Sequence, residues 1–191
     1  MSEIKTYQIP ESVKKNAHIN NEQYLEMYQR SIDHPDEFWA EQAEVFVSWT
    51  KRWDKVQSGG YEDNVSIKWF EGGRLNVSYN CLDRHLEIRG DQIAILWEGD
   101  DPDISKEITY KELHEEVCRF ANVLKGRGVK KGDCISIYMP MVPEAAVAML
   151  ACTRIGAVHS IVFECLAGVF ARRDQRLPFL IFPTFPICSV P

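Results

Sequence analysis

The sequence lacks most of the short signatures that announce a chemistry. No Gly-x-Gly-x-x-Gly follows an apolar run and no Gly-x-x-x-x-Gly-Lys-Ser/Thr occurs, so the dinucleotide fingerprint and the P-loop are both missing. Six cysteines (Cys81, Cys118, Cys134, Cys152, Cys165, Cys188) are widely spaced without a Cys-x-x-Cys pair, which argues against a zinc site or a disulfide framework and for reduced thiols. Five histidines are scattered without ligand spacing, so no metal ligand is assigned. No serine sits in a nucleophile elbow and no carboxylates are paired, so no catalytic residue is assigned either. A basic excess is also missing. The net charge of −6 argues against a general nucleic-acid binder or a protein of anionic membranes. The most apolar window, 145–163, is interrupted by Arg154 and His159 and reads as buried core, not as a membrane span. The opening MSEIKTYQIPESVKKNAH has no apolar run after its charged start, so no secretory leader is expected and the chain is placed in the cytoplasm.

What the 191 residues do contain is enough apolar material, 45% hydrophobic and 11% aromatic, for one domain with an extension. Residues 1–19 read as an extended arm. Asn20 offers a helix cap with Gln23 placed to reach back, and Tyr24, Met27, Tyr28 and Ser31 line one face of the helix that follows. Pro35 suits the first turn of a second helix with an apolar stripe of Phe38, Trp39, Val45 and Phe46. Trp49 and Trp53 extend this aromatic set, which reads as core more readily than as a base-stacking platform. Gln57-Ser58-Gly59-Gly60 is expected to be a loop, and Val65, Ile67 and Trp69 alternate as a half-buried strand. A helix capped by Asn76 is expected from Val77 to Leu86.

From Asp91 the rhythm changes. Ile93 to Trp97 is a continuous apolar strand, and Thr109 with Glu112 forms a capping box flanked by Ile108 and Leu113 as its staple. Leu113, Val117, Phe120, Ala121 and Leu124 recur at helical spacing until Gly128. Cys134 to Met139 is a second strand, Pro143 and Glu144 open a buried helix that Gly156 stops, and Ala157 to Phe163 is a third strand. Apolar strands alternating with helices specify an α/β fold with a mostly parallel sheet and flanking helices.

Individual polar residues read as structural. His85 and His114 fall on helix surfaces or boundaries, and His159 is a core histidine among apolar neighbours. Glu115 and Glu116 form a solvated face, and Lys130-Lys131-Gly132-Asp133 is a charged turn with a phosphate contact as the alternative.

Longer stretches say more. NVSIKWFEGG (64–73), SYNCLDRHL (78–86), IAILWEGDDP (93–102), ITYKELHEEVCRFANVLKGRGVKKGD (108–133) and above all IYMPMVPEAAVAMLACTRIGAVHSIVF (137–163) resemble the AMP-forming acetyl-CoA synthetases, in the adenylate-forming superfamily of acyl-CoA ligases. The resemblance implies 1–88 as the family's N-terminal extension, 89–163 as the start of its AMP-dependent synthetase domain, and 164–191 as a tail outside the pattern. It implies a ligase that joins acetate to CoA through acetyl-adenylate, using ATP and Mg²⁺ and releasing AMP and pyrophosphate. Propionate is the competing substrate. The partners implied are these small molecules; the charge and the interrupted apolar window point to no nucleic acid and no membrane, and a non-catalytic module that docks on an intact homologue is the alternative reading. The family's phosphate loop and catalytic lysine have no counterpart in these residues.

One family site is reached, a CoA contact at Phe163. The family continues there with Gly-Gly-Phe-Ser, where glycine lets the backbone approach the ligand, whereas this chain has Glu164-Cys165-Leu166. The tail, with Arg172-Arg173 and prolines at 178, 183, 186 and 191, is expected to be disordered and to come from a shifted reading frame near residue 164. A divergent natural tail is the alternative. The resulting expectation is an incomplete copy that is inactive alone.

Overall fold

The computed structural model describes residues 7–61, 65–101, 103–162 and the backbone of 179–181. Contacts divide the chain into two compact units, Met1–Val47 with Arg52–Gly73 and Ser48–Lys51 with Arg74–Pro191.

The first unit holds three helices and a hairpin. Helix α1 (Glu11–Asn16) stands inside the stretch expected to be an extended arm, and it buries no residue. Helix α2 (Asn21–Asp33) begins with the expected capping box, in which the Asn20 side chain accepts from the Gln23 amide and Gln23 reaches back to the Asn20 amide, each at 2.9 Å. Helix α3 (Pro35–Phe46) starts on Pro35, buries Phe38 and Ala43, and is joined to α2 by an Arg30–Glu41 ion pair. Strands β1 (Lys55–Gly60) and β2 (Ser66–Glu71) pair antiparallel.

The expected loop at 57–60 is therefore strand. The reason lies in Gly59. Its φ of +81° and a position where a Cβ would fall 1.6 Å from the Ser66 carbonyl oxygen require a residue without a side chain. Glycine here admits close strand approach and is no loop marker. The aromatic residues do form a connected set, with Phe38 on Trp39 at 5.1 Å, Trp39 on Trp69 at 6.1 Å and Trp53 on Phe70 at 5.0 Å between ring centroids. Phe38 and Trp53 are buried, while Trp39 and Trp69 stay exposed.

The second unit carries the main core. Helix α4 (Val77–Cys81) is followed by a 3₁₀ turn (Asp83–His85) and α5 (Leu86–Arg89), where one continuous helix was expected. The break falls at Leu82, whose backbone leaves the helical region (φ −122°, ψ −67°) as its side chain enters the core with 2% of its surface exposed. Burial of that leucine outweighs the hydrogen bonds of an unbroken helix.

Strands β3 (Ile93–Glu98) and β4 (Ser105–Thr109) form an antiparallel hairpin. The first apolar strand thus pairs with a second one unforeseen from sequence, because SKEIT has a single strongly apolar residue, Ile108, which is buried. Helix α6 (Tyr110–Gly126) starts on the Thr109–Glu112 capping box and turns Leu113, Val117, Ala121 and Leu124 inward. The predicted staple residues Ile108 and Leu113 are both buried.

Strand β5 (Cys134–Tyr138), helix α7 (Pro143–Ile155) and strand β6 (Val158–Val162) form the expected parallel unit, in register from Cys134 opposite Val158 to Tyr138 opposite Val162. Gly156 ends α7 in the left-handed region at φ +76°. Ile135 and Ile137 of β5, with Val147, Ala148, Ala151 and Cys152 of α7, complete the core. Strand β7 (Phe179–Ile181), in a segment without any element by sequence, pairs parallel with the other edge of β5. Apart from those three residues, the tail from Glu164 lies outside the described residues.

Candidate functional site

In open α/β sheets ligands gather at the carboxyl ends of parallel strands. Here that edge is made by Tyr138 through Val142 after β5 and by the end of β6 at Val162. It is anchored by Trp97 of the hairpin, whose Nε1 donates to the Met141 carbonyl at 2.8 Å. Helix α7 opens there with Pro143 and Glu144, so its positive end already faces a carboxylate of its own. The cation near it, Lys106, lies 4.0 Å from Glu144. The described part of this edge runs from Tyr138 to Val142, with Glu144 and Lys106 beside it. Phe163, the one predicted cofactor contact, lies outside the described residues.

The densest polar cluster is elsewhere, where α4 and the 3₁₀ turn meet the C-terminal end of α7. Arg154 grips Asp83 with both guanidinium arms, Nη1 to Oδ2 at 2.7 Å and Nη2 to Oδ1 at 2.8 Å. His114 Nε2 lies 3.3 Å from Asp83 Oδ1, 3.3 Å from Arg154 Nη2 and 3.5 Å from Cys118 Sγ. Fully buried Ser78 accepts from Arg154 Nη1 at 3.4 Å. The guanidinium hydrogen bonds hold the Asp83 carboxyl below the usual carboxylate range, and Asp83 in turn raises Arg154.

A cysteine, a histidine and an aspartate in one place invite comparison with a nucleophilic triad. The geometry rejects it. A relay needs the thiol on one imidazole nitrogen and the carboxylate on the other, whereas both face Nε2 here, and the carboxylate is already bound by arginine. Burial pushes the Cys152 thiol up to about 11, which makes it an inert core residue. No group of three or more histidine, cysteine or carboxylate side chains is arranged for a metal ion among the described residues. The cluster is a clasp.

Asn76 completes that clasp and was singled out from sequence only as a helix cap. Its Oδ1 accepts from the Tyr79 amide at 3.0 Å, while its Nδ2 donates to the carbonyls of Thr153 and Arg154 at 3.3 and 3.1 Å. One side chain thus satisfies the start of α4 and the end of α7. Asp83 and Arg154 carry no local signal, since a partner 71 positions away leaves no trace in either neighbourhood. Lys130-Lys131-Gly132-Asp133 is the expected turn, closed by the Lys130 amide donating to Asp133 Oδ2 at 2.7 Å.

Comparison with known proteins gives this architecture its lineage. The family described as acetyl-coenzyme A synthetase N-terminus matches residues 24–81, and the AMP-binding enzyme family matches 82–168. The acetyl-coenzyme A synthetase of Alkalilimnicola ehrlichii is 62% identical over 163 residues, covering 85% of this chain and 25% of its own length. That of Vibrio cholerae is 58% identical over 183 residues, covering 93% and 28%. The solved acetoacetyl-CoA synthetase from Streptomyces lividans superposes with a TM-score of 0.67 at 28% identity, over 81% of this chain and 24% of that one. The chain spans about a quarter of the length of these curated relatives. Two adjoining family matches, running without a gap over 24–168 on a fold shared with a solved relative, establish that the chain belongs to the acetyl-coenzyme A synthetase family of AMP-binding enzymes.

Proposed function

We propose that residues 1–163 are the N-terminal part of an acetate–CoA ligase that forms acetyl-adenylate from ATP and acetate and passes the acetyl group to CoA. The observation that carries this reading is the adjoining pair of family matches over 24–168, with 62% identity to an acetyl-coenzyme A synthetase. The division at residue 88, between the extension and the start of the synthetase domain, belongs to the same proposal. So does Phe163 as a CoA contact, with Glu164 standing where the family has glycine. ATP and Mg²⁺ would be held by a phosphate loop that these 191 residues do not contain, so turnover requires the rest of the ligase. The protein acts in the cytoplasm.

Acetate-dependent exchange of labelled pyrophosphate into ATP tests the reading in two preparations. The 191-residue chain alone is expected to show none. Residues 1–162 joined to the remainder of the Alkalilimnicola ehrlichii relative are expected to restore it. A soluble chimera without exchange would sink the proposal, and exchange with propionate in preference to acetate would move the substrate to the propionyl branch.

The exposed apolar face of α2, with Leu25, Tyr28 and Ile32 all more than half exposed, favours a second reading in which the chain docks on an intact homologue. Pull-down of a full-length synthetase supports it, and no capture at micromolar concentration removes it.

A further inference from the structure

One concavity in the unit Ser48–Lys51 with Arg74–Pro191 has no role in the fold or in the ligase reading. It lies between the C-terminal halves of α6 and α7 and encloses about 580 Å³, within the range of small-molecule sites. Lys130 and Lys131 of its lining shortly precede β5, which places it toward the amino ends of the parallel strands.

The lining is sorted by chemistry. Ala121, Val129 and Ile155 make an apolar floor. Lys125, Lys130 and Lys131, all exposed, line it together with Asn122. No carboxylate lines the cavity, although the chain as a whole carries a net charge of −6. A fourth cation, Arg154, forms the back wall, but Asp83 already holds both of its arms. None of the three lysines forms an ion pair among the described residues. The carboxylate close in sequence, Asp133, is engaged by the Lys130 amide.

Neutralising a helix C-terminus explains Lys125, which sits in the last turn of α6, but not the pair beyond the helix. Lys131 is partly held in place as well. A Cβ on Gly156 would stand 3.0 Å from Lys131 Cγ, so the lysine stem lies against that glycine and its head has less freedom than a loose surface chain. Three lysines and an apolar strip lining one concavity match one ligand chemistry, a phosphate attached to a flat or apolar group.

We infer that the cavity between α6 and α7 binds a small phosphorylated ligand of nucleotide size, its phosphate on Lys125, Lys130 and Lys131 and its apolar part on Val129 and Ile155. The site is independent of the ligase reading and stands or falls separately. The test is titration of the full 191-residue chain with AMP and, separately, with inorganic pyrophosphate, followed by calorimetry and by amide shifts in NMR spectra. AMP is expected to bind more tightly than pyrophosphate, with the largest shifts over 122–131 and 154–156. K130Q/K131Q is expected to weaken AMP about 10-fold or more, and raised salt to weaken it further. Arg119→Gln, an exposed cation outside the cavity, should leave AMP binding unchanged. Shifts centred elsewhere, equal weakening by Arg119→Gln, pyrophosphate binding as tight as AMP, or no binding at millimolar ligand would each overturn the inference.

Discussion

Arg154 belongs to α7, Asp83 to a 3₁₀ turn 71 positions earlier, and the two-point bond between them is half-buried, with side-chain exposures of 26% and 21%. Removing one partner leaves the other charge short of its hydrogen bonds in a partly dry place, so D83N or R154Q is expected to cost about 1–3 kcal/mol. A double-mutant cycle should show positive coupling, since the second change removes a charge that no longer has a partner. The pH dependence follows from the depressed Asp83 carboxyl. Its folded-state value lies below its unfolded one, so the stabilisation is complete above the ordinary carboxylate value of about 4 and is lost as pH falls through the folded value. Thermal unfolding across pH should therefore show wild type and D83N converging in acid and separating near neutrality. A constant gap would place the effect in packing instead. None of this pairing was legible in the sequence, where Asp83 and Arg154 are ordinary charged residues with no local periodicity to link them.

Elements tell a different story, because their ends are written in local code. The Asn20–Gln23 and Thr109–Glu112 capping boxes, Pro35 and Pro143 at helix starts and Gly156 at a helix end all stand where the sequence puts them. Each depends on groups within one turn, so chain neighbours suffice to specify it. Two expectations that failed, a loop at 57–60 and one helix over 77–86, were decided by groups further off: the facing Ser66 carbonyl in one case and the core around Leu82 in the other. Asn76 bridges the two kinds of information. As an N-cap it is read from sequence, and as a donor to the last carbonyls of α7 it is not. N76A is expected to destabilise by about 1–2 kcal/mol, at the upper end of cap losses, because two helix ends lose a partner. Asn76→Asp keeps the acceptor for the Tyr79 amide and loses the donors to Thr153 and Arg154. Its loss in denaturant unfolding should fall between wild type and N76A or beyond, and a value equal to wild type would show that the α7 contact contributes nothing.

At the scale of the whole chain, the open question is what its uncovered surfaces do. In the sheet order β6–β5–β7, strand β6 forms an outer edge with no partner among the described residues, and Val158 and Ile161 are 56% and 45% exposed. An apolar edge with free amides and carbonyls is a template for another strand. The chain is expected to self-associate as its concentration rises into the micromolar range, and Ile161→Lys should shift that onset upward several-fold by placing a charge on the edge. Sedimentation velocity over a concentration series reads the outcome. A monomer throughout, with a sharp thermal transition, would show that the edge is already protected. In relatives about four times as long, the same edge belongs to a chain with many more residues available to cover it.

The sequence by itself determined the family, the α/β class, the parallel β5–α7–β6 unit and the starts of α2, α3, α4, α6 and α7. These rest on periodicity and on contacts a few residues long, which a linear reading can follow. Only the tertiary structure decided where β3 finds its partner, why the helix after Asn76 breaks at Leu82, that Arg154 closes on Asp83, and that Lys125, Lys130 and Lys131 line one concavity with Arg154 and Ile155 of α7. Each of these joins segments far apart in the chain, and the free energy that selects them, burial of apolar surface and satisfaction of buried charge, is a property of assembled space.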